Sequence, residues 1–331
     1  MHFLLYNIVD TVRSLGWAGA FELLRNGLVL GSLYALIALG YTMVYGILKL
    51  LNFAHGDIYM VGAFLGYGVF TRLGAPLSPV LSLVPLLILT FLAAMLGAGA
   101  LGVAVERFAY RPLRNAPRIA PLISALGVAF FLENSVLLLT NGTHYNYSTF
   151  ELGGNPNTGL PGTLFHPAFT VAGRPVTVVQ VLVVSTGLAL MLALTLLVSR
   201  TRLGKAMRAT AFDREAASMM GIDTDRVITS TFFIASVLAG AAGVMFGLYI
   251  GETYYFMGFL AGLKAFTAAV VGGIGSIPGA MVGGLLIGVV ESFAIGYVGG
   301  QWSDIVIFGI LILFMLLRPR GLFGSRAIQK V

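Results

Sequence analysis

Cysteine is absent from all 331 residues, which excludes disulfides, thiolate metal ligands and a cysteine nucleophile. Charge is scarce, with only 10% of the residues Asp, Glu, Lys or Arg. Histidine occurs four times, at His2, His55, His144 and His166, with no i,i+4 pair and no metalloprotease pattern. Neither a metal site nor a catalytic nucleophile–base cluster is expected, so a membrane enzyme has little support. A phosphate-binding loop is missing too. Gly204-Lys205 is followed by Ala206 and lacks the earlier glycine of a nucleotide cradle, so no ATP or other cofactor is expected on this chain. A cleavable signal peptide is equally unsupported, because Asp10 and Arg13 interrupt the N-terminal apolar stretch.

What is present is apolar. The chain is 58% hydrophobic with a mean hydropathy of +0.92, too greasy for a soluble globule. Several runs approach or exceed the ~20 residues that cross a bilayer as helix. The fold class expected is all-α, a polytopic integral membrane protein in contact with lipid. The net charge of +7 does not point to nucleic acid, because the basic residues sit at the ends of apolar runs rather than on one patch. Three clusters, Arg107–Arg118, Arg200–Arg226 and Arg318–Lys330, hold fourteen of the twenty Lys and Arg. Counting spans places all three on one side, which the positive-inside rule makes cytoplasmic, together with the C-terminus.

One transmembrane domain, residues 1–331, is expected, with eight or nine membrane segments. Residues 1–25 carry Asp10, Arg13, Glu22 and Arg25 among aromatics and leucines and read as an interfacial segment. The first span then runs from Asn26 to Leu48, and the side on which the N-terminus starts stays open. Residues 141–176, rich in Gly, Asn, Thr, Pro and Tyr and with Arg174 alone as a basic residue, form an outer loop. Residues 318–331 form a cytoplasmic tail. Glycine rows such as Gly279-x-x-x-Gly283 and Gly243-x-x-x-Gly247-x-x-x-Gly251 predict close helix packing.

Two spans are interrupted: Lys49-Leu-Leu-Asn-Phe-Ala-His-Gly-Asp57 and Gly272-Gly-Ile-Gly-Ser-Ile-Pro-Gly279. Broken or re-entrant helices of this kind line permeation paths in transporters. The candidate path residues are Asn52, His55, Asp57, Gly272, Gly273, Gly275 and Pro278. The alternative for the first break is a plain turn capped by Asn52 or Asp57. Lys264, Glu291 and Glu133 are ionisable residues in apolar segments; they line the path, or they pair between helices, with Lys264 matched to Glu133 or Glu291.

The remaining stretch, residues 200–226, is the most charged of the chain, with six basic and four acidic residues. It cannot lie in hydrocarbon, where each central charge costs ~2.5–3.5 kcal/mol. From Gly204 to Met220 it has no proline and no internal glycine, which predicts one helix over Leu203–Gly221. Phe212, Ala216, Met219 and Met220 would form its apolar stripe, and Gly221 its left-handed end. Such a loop helix suits docking to another protein.

Within it, Glu215-Ala-Ala-Ser-Met-Met-Gly221 is an E-A-A-x-x-x-G core, which resembles the cytoplasmic loop of ABC importer permeases. The usual proline ending of that loop is missing. Leu203-Gly-Lys-Ala-Met-Arg-Ala, Leu238-Ala-Gly-Ala-Ala-Gly243, Gly262-Leu-Lys-Ala-Phe266, the Gly272–Gly279 break and Arg318-Pro-Arg-Gly-Leu-Phe-Gly324 resemble the branched-chain amino-acid ABC permease family. So do Asn52-Phe-Ala-His-Gly-Asp57 and Arg111-Pro-Leu-Arg114. The chain looks like the shorter of that family's two permease subunits, with the resemblance running from Gly27 to Gly324.

That resemblance implies an importer subunit in a bacterial cytoplasmic (inner) membrane, moving branched-chain or related hydrophobic amino acids inward by alternating access. It implies as partners two ATP-binding-cassette subunits that use the ATP, a second homologous permease, and a periplasmic or lipid-anchored substrate-binding protein. Leu203, Gly204, Arg208, Phe212, Glu215, Ala216, Ala217, Met220 and Gly221 would form the ATPase-coupling helix. Two rivals remain: the same importer type for urea or amides, and a stand-alone secondary transporter in which the intramembrane charges couple transport to ions.

Overall fold

The computed structural model describes residues 2–77, 83–114, 116, 117, 119–147, 164, 167–171 and 173–324. Of the expected outer loop, residues 148–163, 165, 166 and 172 lie outside the described residues, as do residues 325–331 of the expected tail. Helix α1 (His2–Leu48) bends at Gly16, whose φ of 55° and ψ of −167° are not helical. A stretch apolar enough to cross a membrane lies within Gly16–Leu48. Then come α2 (His55–Leu77), α3 (Leu83–Val105) and α4 (Ile119–Thr140). Helix α3 widens into a π turn at Glu106–Tyr110 and then tightens into a 3-10 turn at Arg111–Leu113, where Pro112 cannot extend the ladder.

The second half holds α5 (Val178–Arg200), the short α6 (Arg202–Phe212) and α7 (Arg214–Met219), and α8 (Thr224–Ile250). It closes with α9 (Met257–Gly272), α10 (Ile277–Tyr297) and α11 (Gly300–Leu317). Strands are minor. β1 (Tyr145–Asn146) pairs antiparallel with β4 (Glu252–Thr253), and β2 (Pro167–Val171) with β3 (Arg174–Thr177). Among the described residues, seven helices are long and apolar enough to cross a membrane, and α9 is a shorter apolar helix. Together with α2 they make a polytopic helical membrane protein.

Glycine sets the tightest crossings. A Cβ on Gly31 of α1 would lie 2.7 Å from the Leu285 Cα, and one on Gly288 of α10 would lie 2.1 Å from the Gly31 nitrogen. Side chains larger than hydrogen at these points would force the two backbones apart. Helix α8 is the hub. Buried along most of its length, it packs on α1, α2 and α3, with Gly240 against Ala94 and Gly62 and with Gly243 against Tyr59. By contrast α4 and α5 lie at the edge and leave Phe130, Phe131, Leu138, Leu188 and Leu192 exposed, as lipid-facing helices do.

The described residues of the three basic clusters share one face. Arg111 and Arg114 reach Asp225 at the start of α8, and residues 320–324 pack against Gly273 at the end of α9. A cavity of about 90 Å³ joins Met207 and Arg208 of α6 to Gly275 and Ile277.

Helix α2 does not begin at that basic face. Gly62, seven residues into α2, abuts Gly240, sixteen residues into α8. At ~1.5 Å of rise per residue, α2 starts roughly 14 Å inside the level where α8 starts. Helix α9 starts at the same depth, because Gly258 packs directly on Gly56. The chain reaches it from the far end of α8 through residues 251–256, with Thr253 fully buried. Two helices therefore begin in the middle of the bundle and run toward opposite faces.

Candidate functional site

The charged loop folds back tightly on α5. Thr201 caps α6, its hydroxyl accepting the Gly204 N–H at 3.0 Å. Gly204 is buried so close to α5 that a Cβ would meet the Val198 carbonyl at 2.2 Å, and Arg208 donates to that same carbonyl. Leu203 is half-buried against the core, and Met207 is buried.

The single helix expected over Leu203–Gly221 is two helices, broken at Asp213. The cause is local. The Asp213 carboxylate accepts the N–H groups of Glu215 (3.1 Å) and Ala216 (3.0 Å), capping α7 instead of letting α6 continue. Gly221 ends the second piece with φ 82°, the left-handed conformation. Glu215 and Ala216 are exposed while Ala217 is buried. Phe212, Met219 and Met220 are 80%, 82% and 83% exposed, an apolar surface on the most polar loop of the protein.

An ion cluster ties this loop to the bundle. Asp225 receives Arg111 at 2.8 Å, Arg114 at 2.5 Å and Arg214 of α7 at 3.5 Å. Arg114, almost buried, forks to Glu106, whose other oxygen accepts the Thr229 hydroxyl at 2.9 Å. One turn further along the chain from Glu106, the Tyr110 hydroxyl lies 3.2 Å from both the Leu51 carbonyl and the Asn52 side-chain oxygen. Polar contacts thus run from α7 to Glu106, and a separate pair of contacts joins the adjacent turn at Tyr110 to the first break.

At that break Asn52, His55 and Asp57 are all buried, at 2%, 1% and 4% exposure. Tyr41 of α1 meets the His55 ring edge-on, with centroids 4.9 Å apart. Asn52 Nδ2, both ring nitrogens of His55 and Asp57 Oδ1 find no hydrogen-bond partner among the described residues.

The second break lies elsewhere. Gly272, Gly273, Gly275 and Pro278 sit at the basic face, with Gly275 and Pro278 exposed. Gly273 and Gly275 have φ of 108° and 93°, which only glycine adopts freely. The segment after α11 covers this break: the N–H groups of Leu322 and Phe323 donate at 2.9 Å to the carbonyls of Val271 and Gly272. Those bonds satisfy carbonyls that the end of α9 leaves open.

Lys264 pairs with Glu291 at 2.6 Å, as one of the two expected alternatives has it, and also with Asp304 of α11 at 2.8 Å. Glu133 is not part of that group; it stands half-buried on α4. The candidate path residues therefore fall in four places: a mid-bundle polar cluster, a break at the basic face, an ion triad, and Glu133 on α4. Sequence reasoning missed Tyr41, Glu106, Arg114, Thr229, Asp225 and Asp304. The Arg-x-x-Arg spacing at 111–114 and the acid in the first turn of α8 were the available signals.

A family model described as branched-chain amino acid transport system / permease component matches residues 23–315. The high-affinity branched-chain amino acid transport system permease protein BraD of Pseudomonas aeruginosa is 44% identical, covering 93% of this chain and 97% of its own length. The corresponding LivH permease of Salmonella typhimurium is 42% identical over 92% of this chain and 96% of its own. A probable branched-chain amino acid transport permease protein LivH of Methanocaldococcus jannaschii is 26% identical over 91% and 92%. No solved structure matches.

Proposed function

The chain belongs to the branched-chain amino acid transport permease family, and from that premise we propose that it is the membrane-spanning subunit of an ATP-driven importer of branched-chain amino acids. The observation that carries the driving partner is the α6–α7 loop. Phe212, Met219 and Met220 are mostly exposed on a loop that also holds Arg214 and Glu215, and burying each apolar side chain in a partner contributes roughly 1.5–3 kcal/mol. A helix laid into a groove of an ATP-binding-cassette subunit buries such a surface. The basic face then lies in the cytoplasm, which agrees with its Arg clusters.

In this reading Leu203, Gly204 and Arg208 anchor the loop on α5, while Phe212, Glu215, Ala216 and Met220 meet the ATPase. Movement of the loop reaches the bundle through Arg214, Asp225, Arg114 and Glu106. Two ATPase subunits, a homologous permease and a binding protein on the outer face complete the importer. The ATP is held by those subunits.

The test is uptake by the complex reconstituted in vesicles. Labelled leucine should enter only with ATP and the binding protein. Leucine uptake that survives ATP depletion, with this chain alone present, identifies a stand-alone carrier instead. Uptake of urea but not leucine moves the substrate to amides.

A further inference from the structure

Resting on that amino-acid importer reading, we propose that the mid-bundle meeting point of α2 and α9 is a contact station for the zwitterionic head of the solute. Asp57 takes its ammonium. Asn52, His55 and the start of α9 take its carboxylate.

The start of α9 is inside the bundle, and no side chain caps it: Phe256 precedes the helix and makes no cap hydrogen bond. A helix start carries about half a positive charge on its open N–H groups, which favours a carboxylate. At the first break, Asn52 Nδ2 and the His55 ring nitrogens are buried without a close hydrogen-bond partner among the described residues. Asp57 supplies the opposite sign. Its Oδ1 is buried and unpartnered among the described residues, and Lys264, the cation of α9, is held by both Glu291 and Asp304. A buried carboxylate left without a cation is costly, so this position awaits a positive group. An amino acid brings both complements at once.

The surrounding walls favour the same assignment. A Cβ on Gly258 would lie 3.0 Å from Asp57 Oδ1, one on Gly40 would lie 2.1 Å from His55 Nε2, and one on Gly262 would lie 3.2 Å from the Tyr41 hydroxyl. Asp57 and Tyr41 therefore face glycines of α9, and His55 a glycine of α1. When α2 and α9 separate, no side chain at Gly258 stands between the solute head and Asp57 Oδ1.

The experiment measures labelled leucine binding to the assembled complex in nanodiscs without the binding protein. The competitors are leucine, 4-methylpentanoate, which lacks the ammonium, and isopentylamine, which lacks the carboxylate. Leucine should displace the label at least about tenfold better than either analogue, the scale of one lost buried charge contact. Asp57→Asn should remove the preference for leucine over 4-methylpentanoate, and Asp57→Glu should keep it. The station is overturned if the wild type binds no displaceable leucine, if 4-methylpentanoate competes as well as leucine, or if Asp57→Asn keeps the preference. The wild-type competition needs no variant to fold. ATP-driven leucine uptake by the same preparation separates the two readings. Uptake without the preference removes only the station, whereas absence of uptake removes the importer reading and the station with it.

Discussion

The ammonium of Lys264 lies 2.6 Å from the carboxylate of Glu291, a pair that joins α9 to α10 where both side chains are largely buried. Asp304 adds a second carboxylate at 2.8 Å and draws in α11. Removing the lysine leaves two acids facing each other. Lys264→Met should therefore lower the stability of the detergent-solubilised protein by roughly 3–5 kcal/mol, read as a drop in melting temperature. Adding Glu291→Gln to that variant should recover part of the loss, because the uncompensated charge is then gone. Full stability of Lys264→Met alone would make the triad incidental.

Most helices were legible in the chain because apolar runs near bilayer length have few alternatives. Fine breaks were not. Asp213 sits among good helix formers, and its capping bonds to residues 215 and 216 are one local option that composition does not reveal. Asp304 opens an apolar run and reads as a boundary residue until Lys264 is placed beside it. Arg114 and Asp225 are 111 residues apart, so nothing local links them. Lys264 was partly legible, because a lone ammonium in an apolar helix must find an acid and few acids are available.

The α1–α10 crossing permits no side chain at its centre. Gly288→Val should prevent stable accumulation of the protein in the membrane, since its Cβ would overlap the Gly31 backbone. Gly309→Val on α11 is the matched control: nothing lies within 4 Å of a Cβ there, and expression should stay at the wild-type level. Equal yields of the two variants on immunoblots of membranes would refute the steric argument.

At the α6–α7 loop, charge and backbone are separable. Glu215→Lys changes an exposed side chain, so insertion and melting temperature should stay put while ATP hydrolysis no longer drives uptake. Gly221→Leu has open space around it but would hold a residue at φ 82°, a strain of ~1–2 kcal/mol that displaces the end of α7. It should uncouple as well, and Gly221→Asn should transport nearly normally. The measurement is leucine uptake per ATP hydrolysed; unchanged ratios in both Glu215→Lys and Gly221→Leu would exclude the loop as the coupling element.

Arg114 is the joint between the loop and the bundle. Arg114→Ala strands the buried Glu106 carboxylate and should cost roughly 3–5 kcal/mol. Arg114→Lys keeps the charge but loses the fork that serves Glu106 and Asp225 together. It should melt between Arg114→Ala and the wild type, with a lower uptake-to-hydrolysis ratio than the wild type. A ratio equal to the wild type's would confine Arg114 to holding the fold.

The bonds from Leu322 and Phe323 to the carbonyls of Val271 and Gly272 also impose an order in time. A ribosome makes the chain from its N-terminal side, so α9 and α10 are complete in sequence before the residues that close their junction are added. The break at Gly273 therefore stays unlatched until Leu322 and Phe323 arrive, after both helices that it joins.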